Sequence, residues 1–300
     1  MENWENINAV QRVQDYIAEH INEPITLYML SQAAGYSPWY TSRIFKEYTG
    51  KTPLEYIRWL RLSRAALELW DDSKRVIDVA LDFAFNSHEG FTRAFSDKFG
   101  MTPQHYRKTT PMIPLFIPTS IRAYHLIKKK GADKMQAKSD TKVVFVQVVE
   151  RPKRKLILKR GTNADNYYDY CEELGCDIWG ELCSIKQALY EPIGMWLPEN
   201  LQKPGTSKYA QGVEVPFDYQ NDLPEGYEII DLPACKVMVF QGPPFKDEEF
   251  EAAINDLWQV MDNYNPELYG FRWADEDGPR FQLAPMGERG YIEARPVRAL

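Results

Sequence analysis

Seventeen residues, SPWYTSRIFKEYTGKTP from Ser37 to Pro53, recur 50 positions later as SHEGFTRAFSDKFGMTP from Ser87 to Pro103. Arg43 returns as Arg93, Phe45 as Phe95, Gly50 as Gly100, Thr52 as Thr102, Pro53 as Pro103 and, just beyond, Tyr56 as Tyr106. A repeat of this size restricts the chain to a duplicated helical unit whose copies share or stack their apolar faces. Each copy follows a short apolar run, Leu27 to Ala34 and Val76 to Ala84, through turns at Gly35-Tyr36-Ser37 and Phe85-Asn86-Ser87. Ser37 suits a helix N-cap, and Pro38 at the first helical position gives up no needed donor. Tyr40, Ile44 and Tyr48, then Phe91, Phe95 and Phe99, fall at i, i+4, i+8 and are expected to face the core. Trp39, Ser42, Arg43 and Lys46 are left outside in the first copy, and His88, Glu89, Thr92 and Arg93 in the second.

Helix, short turn and second helix with polar and cationic residues near its start is the arrangement that lies in a DNA major groove. Thr52-Pro53-Leu54-Glu55 reads as a capping box opening a helix to about Trp70, with Tyr56, Ile57, Leu60, Ala66 and Leu67 on its apolar side. Such a connector suits two reading helices about one DNA turn (~34 Å) apart. A single copy would be explained equally well as a plain αα packing unit with solvated arginines. Two copies in register favour reading of double-stranded DNA. Residues 1–110 carry 13 Lys and Arg against 14 Asp and Glu, so binding is expected to depend on local placement of cations and to be salt-sensitive.

At these residues the chain resembles the AraC/XylS family of bacterial transcription regulators, over roughly residues 5–108. The GYS turn, R-x-F in both reading helices, G-x-T-P after each, and GFTRAFSDKFGMTPQHYR carry the likeness. The resemblance implies base contacts from Trp39, Ser42 and Arg43 and from His88, Glu89, Thr92 and Arg93. Arg43 and Arg93 suit guanine O6 and N7, and Glu89 a cytosine amino group. Ser42 is shorter than the amide side chain that some members carry there.

The length of 300 residues suggests two domains, and 44% hydrophobic with 26% charged residues is ordinary for a globular protein. No leader peptide and no membrane-length apolar run are seen, so a cytoplasmic location and no membrane contact are expected. Cys171, Cys176, Cys183 and Cys235 form no C-x-x-C pair and have no nearby histidine; reduced thiols, no metal and no cofactor are expected. Ile7, Val10, Ile17 and Ile21 mark an amphipathic helix that closes the first core. From Thr109 the text changes: Pro111, Pro114 and Pro118 stop helix, Lys128 to Lys130 is a charge run, and GADKMQAKSD suggests flexibility. The expected division is a DNA-binding domain at 1–110, a linker at 111–140 and a second domain at 141–300.

The second half also repeats. Glu150-Arg151-Pro152 through Lys155-Leu156-Ile157-Leu158 to Gly161 aligns without gaps on Asp231-Leu232-Pro233 through Lys236-Val237-Met238-Val239 to Gly242, 81 residues on. Each copy reads as strand, Pro-bearing turn, strand, helix near a Trp (Trp179, Trp258), then strands. Gly212-Val213-Glu214-Val215-Pro216 is similar to Tyr291-Ile292-Glu293-Ala294-Arg295-Pro296. An antiparallel sheet with both helices on one face is expected, and candidate chemistry on the opposite face. The candidates are Trp196, Tyr209, Glu214, Tyr269, Trp273, Phe281, Gln282, Tyr291 and Glu293: aromatics that attract flat cations, with carboxylates as countercharge. Residues 141–300 hold 27 acids against 17 cations, in keeping with a cationic ligand. The same residues also fit a core or a subunit contact.

This half resembles the GyrI-like effector-binding domain of multidrug-sensing regulators over about 142–298, through YAQGVEVP, LPEGYEIIDLPACKVMVFQG and RGYIEARPV. The resemblance implies two pseudo-symmetric βαββ units, and ligands that are often lipophilic aromatic cations over an acidic residue. Glu293 matches one acidic position, while Gln282 stands where many members have Glu, which widens the expected ligands to neutral ones. The whole chain then reads as an all-α double helix-turn-helix domain followed by an α+β domain. Its expected function is transcription regulation tuned by a small hydrophobic effector, with RNA polymerase as a further partner. The alternatives are small-molecule hydrolysis, with Glu293 or Glu214 orienting water, or a C-terminal domain that serves only protein contacts.

Overall fold

The computed structural model describes residues 3–130 and 143–300, and its internal contacts divide the chain into units at 1–133 and 134–300. The first unit is helical: α1 (Trp4–Glu19), α2 (Leu27–Ala34), α3 (Pro38–Thr49), α4 (Pro53–Glu68), α5 (Val76–Asp82), α6 (His88–Phe99), α7 (Pro103–Thr109) and α8 (Ile121–Lys130). The repeat is a repeat of helix ends. Ser37 accepts from the Tyr40 amide and Ser87 from the Gly90 amide, opening α3 and α6. Both helices stop at a left-handed glycine, Gly50 at φ 73° and Gly100 at φ 72°, a conformation that costs other residues about 1 kcal/mol. Thr52 and Thr102 then cap the next helix with Pro at its start, and Thr52 and Glu55 complete the expected capping box.

The inner faces repeat as well. Phe45 meets Tyr56 edge-on at 5.1 Å, and Phe95 meets Tyr106 at 5.7 Å. Ile7, Val10, Val13 and Ile17 of α1 close the first of these cores, as expected. Tyr40 and Tyr48 only flank that core, which Thr41, Ile44 and Phe45 fill instead.

The stretch expected as linker from 111 is, as far as residue 126, part of this unit. Ile113 and Leu115 are buried, Phe116 donates its amide to Ser63 Oγ at 2.7 Å, and Gln14 binds both the Thr119 carbonyl and the Ile121 amide. The three prolines exclude helix but not burial, because Ser63 and Gln14 satisfy the extended backbone. The Lys128–Lys130 side chains and residues 131–140 lie outside what is described.

The second unit contains β1 (Phe145–Arg151), β2 (Arg154–Arg160), α9 (Tyr167–Leu174), α10 (Asp177–Cys183), β3 (Ile193–Trp196), β4 (Tyr209–Pro216), β5 (Glu228–Leu232), β6 (Cys235–Gln241), α11 (Phe250–Asp262), β7 (Phe271–Trp273), β8 (Arg280–Leu283) and β9 (Ile292–Ala299). The strands form one antiparallel sheet in the order β1-β6-β9-β8-β3-β4-β2-β5, with β7 on the end of β9. The Pro-bearing turns do not close hairpins. At Pro152 and Pro233 the chain crosses between halves of the sheet, so that β1 pairs with β6 and β5 with β2.

Alternation along the strands then assigns the faces. Met238, Phe240, Tyr291 and Val297 meet Leu257 and Met261 of α11. Leu156, Leu158, Ile193, Met195, Val237, Phe281 and Ala294 form the core of the other face. On that second face Arg151 of β1 reaches Glu214 of β4, strands far apart in the order, so the sheet curls around it.

Candidate functional site

Two surfaces in the first unit carry the expected DNA-facing residues. On α3, Trp39 is 72% exposed and the Arg43 guanidinium lies 5.4 Å from its ring centroid and 4.8 Å from that of Tyr40. Lys46 is exposed one turn further on. On α6, His88, Glu89 and Arg93 are exposed at the positions expected. Ser42 and its repeat partner Thr92 are only half-exposed, and the Thr92 hydroxyl is buried with no hydrogen-bond partner among the described residues. Both sit at the edge of the helix packing, a turn of the wheel further inward than the spacing implied. The outward groups are thus Trp39, Arg43 and Lys46 on one helix and His88, Glu89 and Arg93 on the other.

In the second unit the nine effector candidates do not form one cluster. The expectation of a single site opposite the helices is corrected by strand register. Glu293 pairs with Phe240 and Gln282, and its carboxylate turns toward α11. Glu214 pairs with Leu156 on the other face, as Phe281 pairs with Met195 and Ala294. Matching Glu214 to Glu293 is one residue out of step: aligning Pro216 with Pro296 sets Glu214 against Ala294, and one residue in a strand reverses the face.

Glu214 has a structural task. Its Oε2 accepts from Arg151 Nη1 at 2.9 Å, and its Oε1 lies 2.7 Å from Arg154 Nε. Arg154, 1% exposed, also donates to the Pro233 carbonyl at 2.9 Å and the Pro152 carbonyl at 3.2 Å, joining the two crossover corners. Burial opposes its charge, but Glu214 and Cys235 together outweigh that and hold the guanidinium above its usual range. Removing one member of such a group leaves an uncompensated buried charge, which costs about 3–5 kcal/mol.

The helix-side cluster is centred on Glu293, which is 0% exposed. Its Oε2 accepts from Trp258 Nε1 at 2.7 Å and from the Tyr291 hydroxyl at 3.1 Å, and its Oε1 accepts from Arg280 Nε. The Tyr291 hydroxyl also lies 2.8 Å from Gln282 Oε1, whose Nε2 donates to Tyr209 Oη at 3.3 Å. Trp196 meets Tyr209 edge-on at 5.5 Å and receives the Arg280 guanidinium over its ring at 5.4 Å.

Gly194 makes this arrangement fit: a Cβ there would come within 2.1 Å of Tyr209 Oη. The Tyr209 and Tyr291 hydroxyls are pushed well above the ordinary tyrosine range by burial, to which Glu293 adds at Tyr291. Both are therefore neutral phenols, Tyr291 donating to Glu293 and Tyr209 accepting from Gln282. Tyr170 of α9 packs on Tyr209 at 5.7 Å, so α9 and α11 both adjoin the cluster.

Trp196, Tyr209, Gln282, Tyr291 and Glu293 are thus brought together. Trp258, Arg280 and Tyr170 join them, and nothing in the sequence pattern marks Trp258 beyond its place on a helix. Arg280 could have been found from its place two residues before Gln282, on the same face of one strand.

Tyr269 and Trp273 lie elsewhere. Tyr269 stacks on Tyr264 at 5.4 Å and lines an open groove of about 650 Å³ with Val144, Val146, Met238 and Phe271. Trp273 packs against the α11-side core under Arg295. This groove and the buried carboxylate are therefore different places. The charged groups gather at the carboxylate, whereas the groove is lined by Val, Met, Phe and Tyr side chains with Gln147.

Residues 30–109 match the helix-turn-helix domain family. The regulatory protein SoxS of Salmonella typhimurium is 38% identical over 98 residues, 33% of this chain and 92% of SoxS. The transcriptional regulator Rob of the same organism is 38% identical over 95 residues, but the match spans only 33% of Rob. Among solved structures, a transcriptional regulator with an AraC-type DNA-binding domain from Chromobacterium violaceum aligns with 36% of this chain and 96% of its own, at 27% identity and a TM-score of 0.33.

Proposed function

The chain belongs to the AraC family of DNA-binding transcriptional regulators, and from that premise we propose that α3 and α6 read two successive major-groove segments while residues 143–300 bind a small effector. Trp39, Arg43 and Lys46 face one segment, and His88, Glu89 and Arg93 the next. Ser42 and Thr92 stand at the margin of each interface. The observation that carries the DNA reading is the exposure of these residues on two helices capped and terminated alike.

For the second unit the proposal is a GyrI-like effector-binding domain. The strand order supports it: β1-β6-β9-β8 and β5-β2-β4-β3, read inward from opposite edges, are the same series shifted by one repeat. Two βαββ units then meet at β8 and β3, and the Glu293 cluster lies at that seam with helices of both units beside it. A buried carboxylate ringed by Trp196, Tyr209, Trp258 and Tyr291 is the feature that carries the effector reading. The effector acts if it favours one arrangement of the DNA-reading unit over another, at promoter DNA or with RNA polymerase.

Binding is favoured over hydrolysis because Glu293 and Glu214, the candidate general bases, are both engaged by arginines. A second reading, docking of another protein, is favoured by the groove beside β1, where Val148 is 36% and Tyr269 64% exposed.

Tryptophan fluorescence of the full chain, titrated with a panel of lipophilic aromatic cations and neutral analogues, tests the effector proposal. Saturable quenching that Glu293→Gln weakens is the expected result. A flat response to the whole panel would leave the protein-contact reading in possession.

A further inference from the structure

Glu293 is surrounded mainly by neutral groups. Trp258 and Tyr291 donate hydrogen bonds to it without bringing charge, and among the described residues Arg280 is the cation paired with it. The two partners differ in access to water: Glu293 is 0% exposed, whereas the Arg280 side chain is 30% exposed. The Arg280 guanidinium also lies over the Trp196 ring, 5.4 Å from its centroid. One flat cation thus meets a ring face and a buried carboxylate together, the pair of contacts that an aromatic cation site offers.

We propose that Arg280 fills, from within the chain, a site for flat guanidinium- or amidinium-like cations, and that a ligand of this class enters by displacing it. The proposal rests on the effector reading of this cluster. It adds the residue that guards the site and the guanidinium-like shape of the group that replaces it.

The exchange is balanced. Withdrawing Arg280 alone strands a buried carboxylate, which costs several kcal/mol, so the arginine leaves only as another cation arrives. Its partly exposed side chain has a path to water, and it stands at the first residue of β8, just after Gly278-Pro279. A neutral ligand gains nothing from this exchange, because it cannot take over the charge. Gln282 does not reverse that preference: its two ends are used by Tyr291 and Tyr209, so it braces the cluster.

The test uses the full chain with benzamidinium as probe and benzamide as its neutral counterpart, read by tryptophan fluorescence and by thermal melting. Arg280→Ala and Arg280→Met, the latter keeping an apolar stem, are expected to bind benzamidinium about tenfold or more tightly than the unsubstituted chain. Their melting temperatures should rise with benzamidinium and stay still with benzamide. Adding Glu293→Gln to either variant should abolish the gain.

Cooperatively folded Arg280 variants that bind benzamidinium no better than the parent would overturn the proposal. So would variants that are unfolded alone and stay unfolded at saturating benzamidinium. If the variants gain binding while the parent answers no compound in the effector panel, the site stands and the effector reading falls. If the parent answers the panel but the variants gain nothing, the effector reading stands and the displaced arginine falls.

Discussion

Gly194 shows how a single position sets the chemistry of the second unit. Its missing side chain admits the Tyr209 hydroxyl, which in turn receives Gln282 and closes the network onto Tyr291 and Glu293. Gly194→Ala is expected to push Tyr209 aside and destabilise the unit by about 1–3 kcal/mol, as overpacking of a filled interior does. A smaller loss in chemical denaturation, together with unchanged tryptophan emission from Trp196 and Trp258, would show the fit to be looser than described. In the first unit, Arg93→Ala is expected to cost about 1–3 kcal/mol of DNA affinity and to relax one base position. Uniform weakening on every sequence would make Arg93 a phosphate contact. Which side chains of α3 and α6 face outward was legible in the sequence, apart from Ser42 and Thr92, because two copies calibrate each other. The Glu293 cluster was legible only in part: its strand residues were named, but no sequence pattern paired Glu293 with Arg280 or Trp258. Those contacts depend on which strands adjoin and on which helix covers them.

At the scale of the element, local signals and register fared differently. Ser37, Thr52, Gly50 and their repeats specify helix ends through their own backbone and side-chain hydrogen bonds, so six boundaries could be placed from the sequence. Strand faces could not, because they depend on partners up to 96 residues away, and a one-residue offset sent Glu214 to the wrong side. The prolines after 110 misled for a related reason: they report backbone conformation, whereas Ile113 and Leu115 decide burial. The duplicated aromatic pairs give a pH prediction. Burial raises the Tyr56 and Tyr106 hydroxyls from 10 to about 12, since a buried phenolate is disfavoured. The folded state then holds those protons more tightly than the unfolded one. Stability is fully present below about pH 10 and is lost as pH rises toward 12, by about 2–3 kcal/mol for each tyrosine. Denaturation of Tyr56→Phe and Tyr106→Phe from pH 9 to 12 should show shallower losses than the parent; parallel slopes would contradict the assignment. Thr52→Ala, which removes the capping box of α4, should cost about 1 kcal/mol at neutral pH in the same assay.

For the whole molecule, the account joins a DNA-reading unit of duplicated helices to a second unit of duplicated strands. Among the described residues no helix is long and apolar enough to cross a membrane. Coupling between the units requires an effector that favours one DNA-reading arrangement, by about 1–3 kcal/mol if it behaves as regulators commonly do. That coupling presupposes the central claim, that one chain reads two half-sites with α3 and α6. Selection of binding sequences from a pool of randomised duplexes tests this most directly, with the parent, Arg43→Ala and Arg93→Ala run side by side. The account predicts two enriched segments about 10 base pairs apart centre to centre, one relaxed by Arg43→Ala and the other by Arg93→Ala. A single enriched segment, or two that both substitutions blur equally, would contradict it.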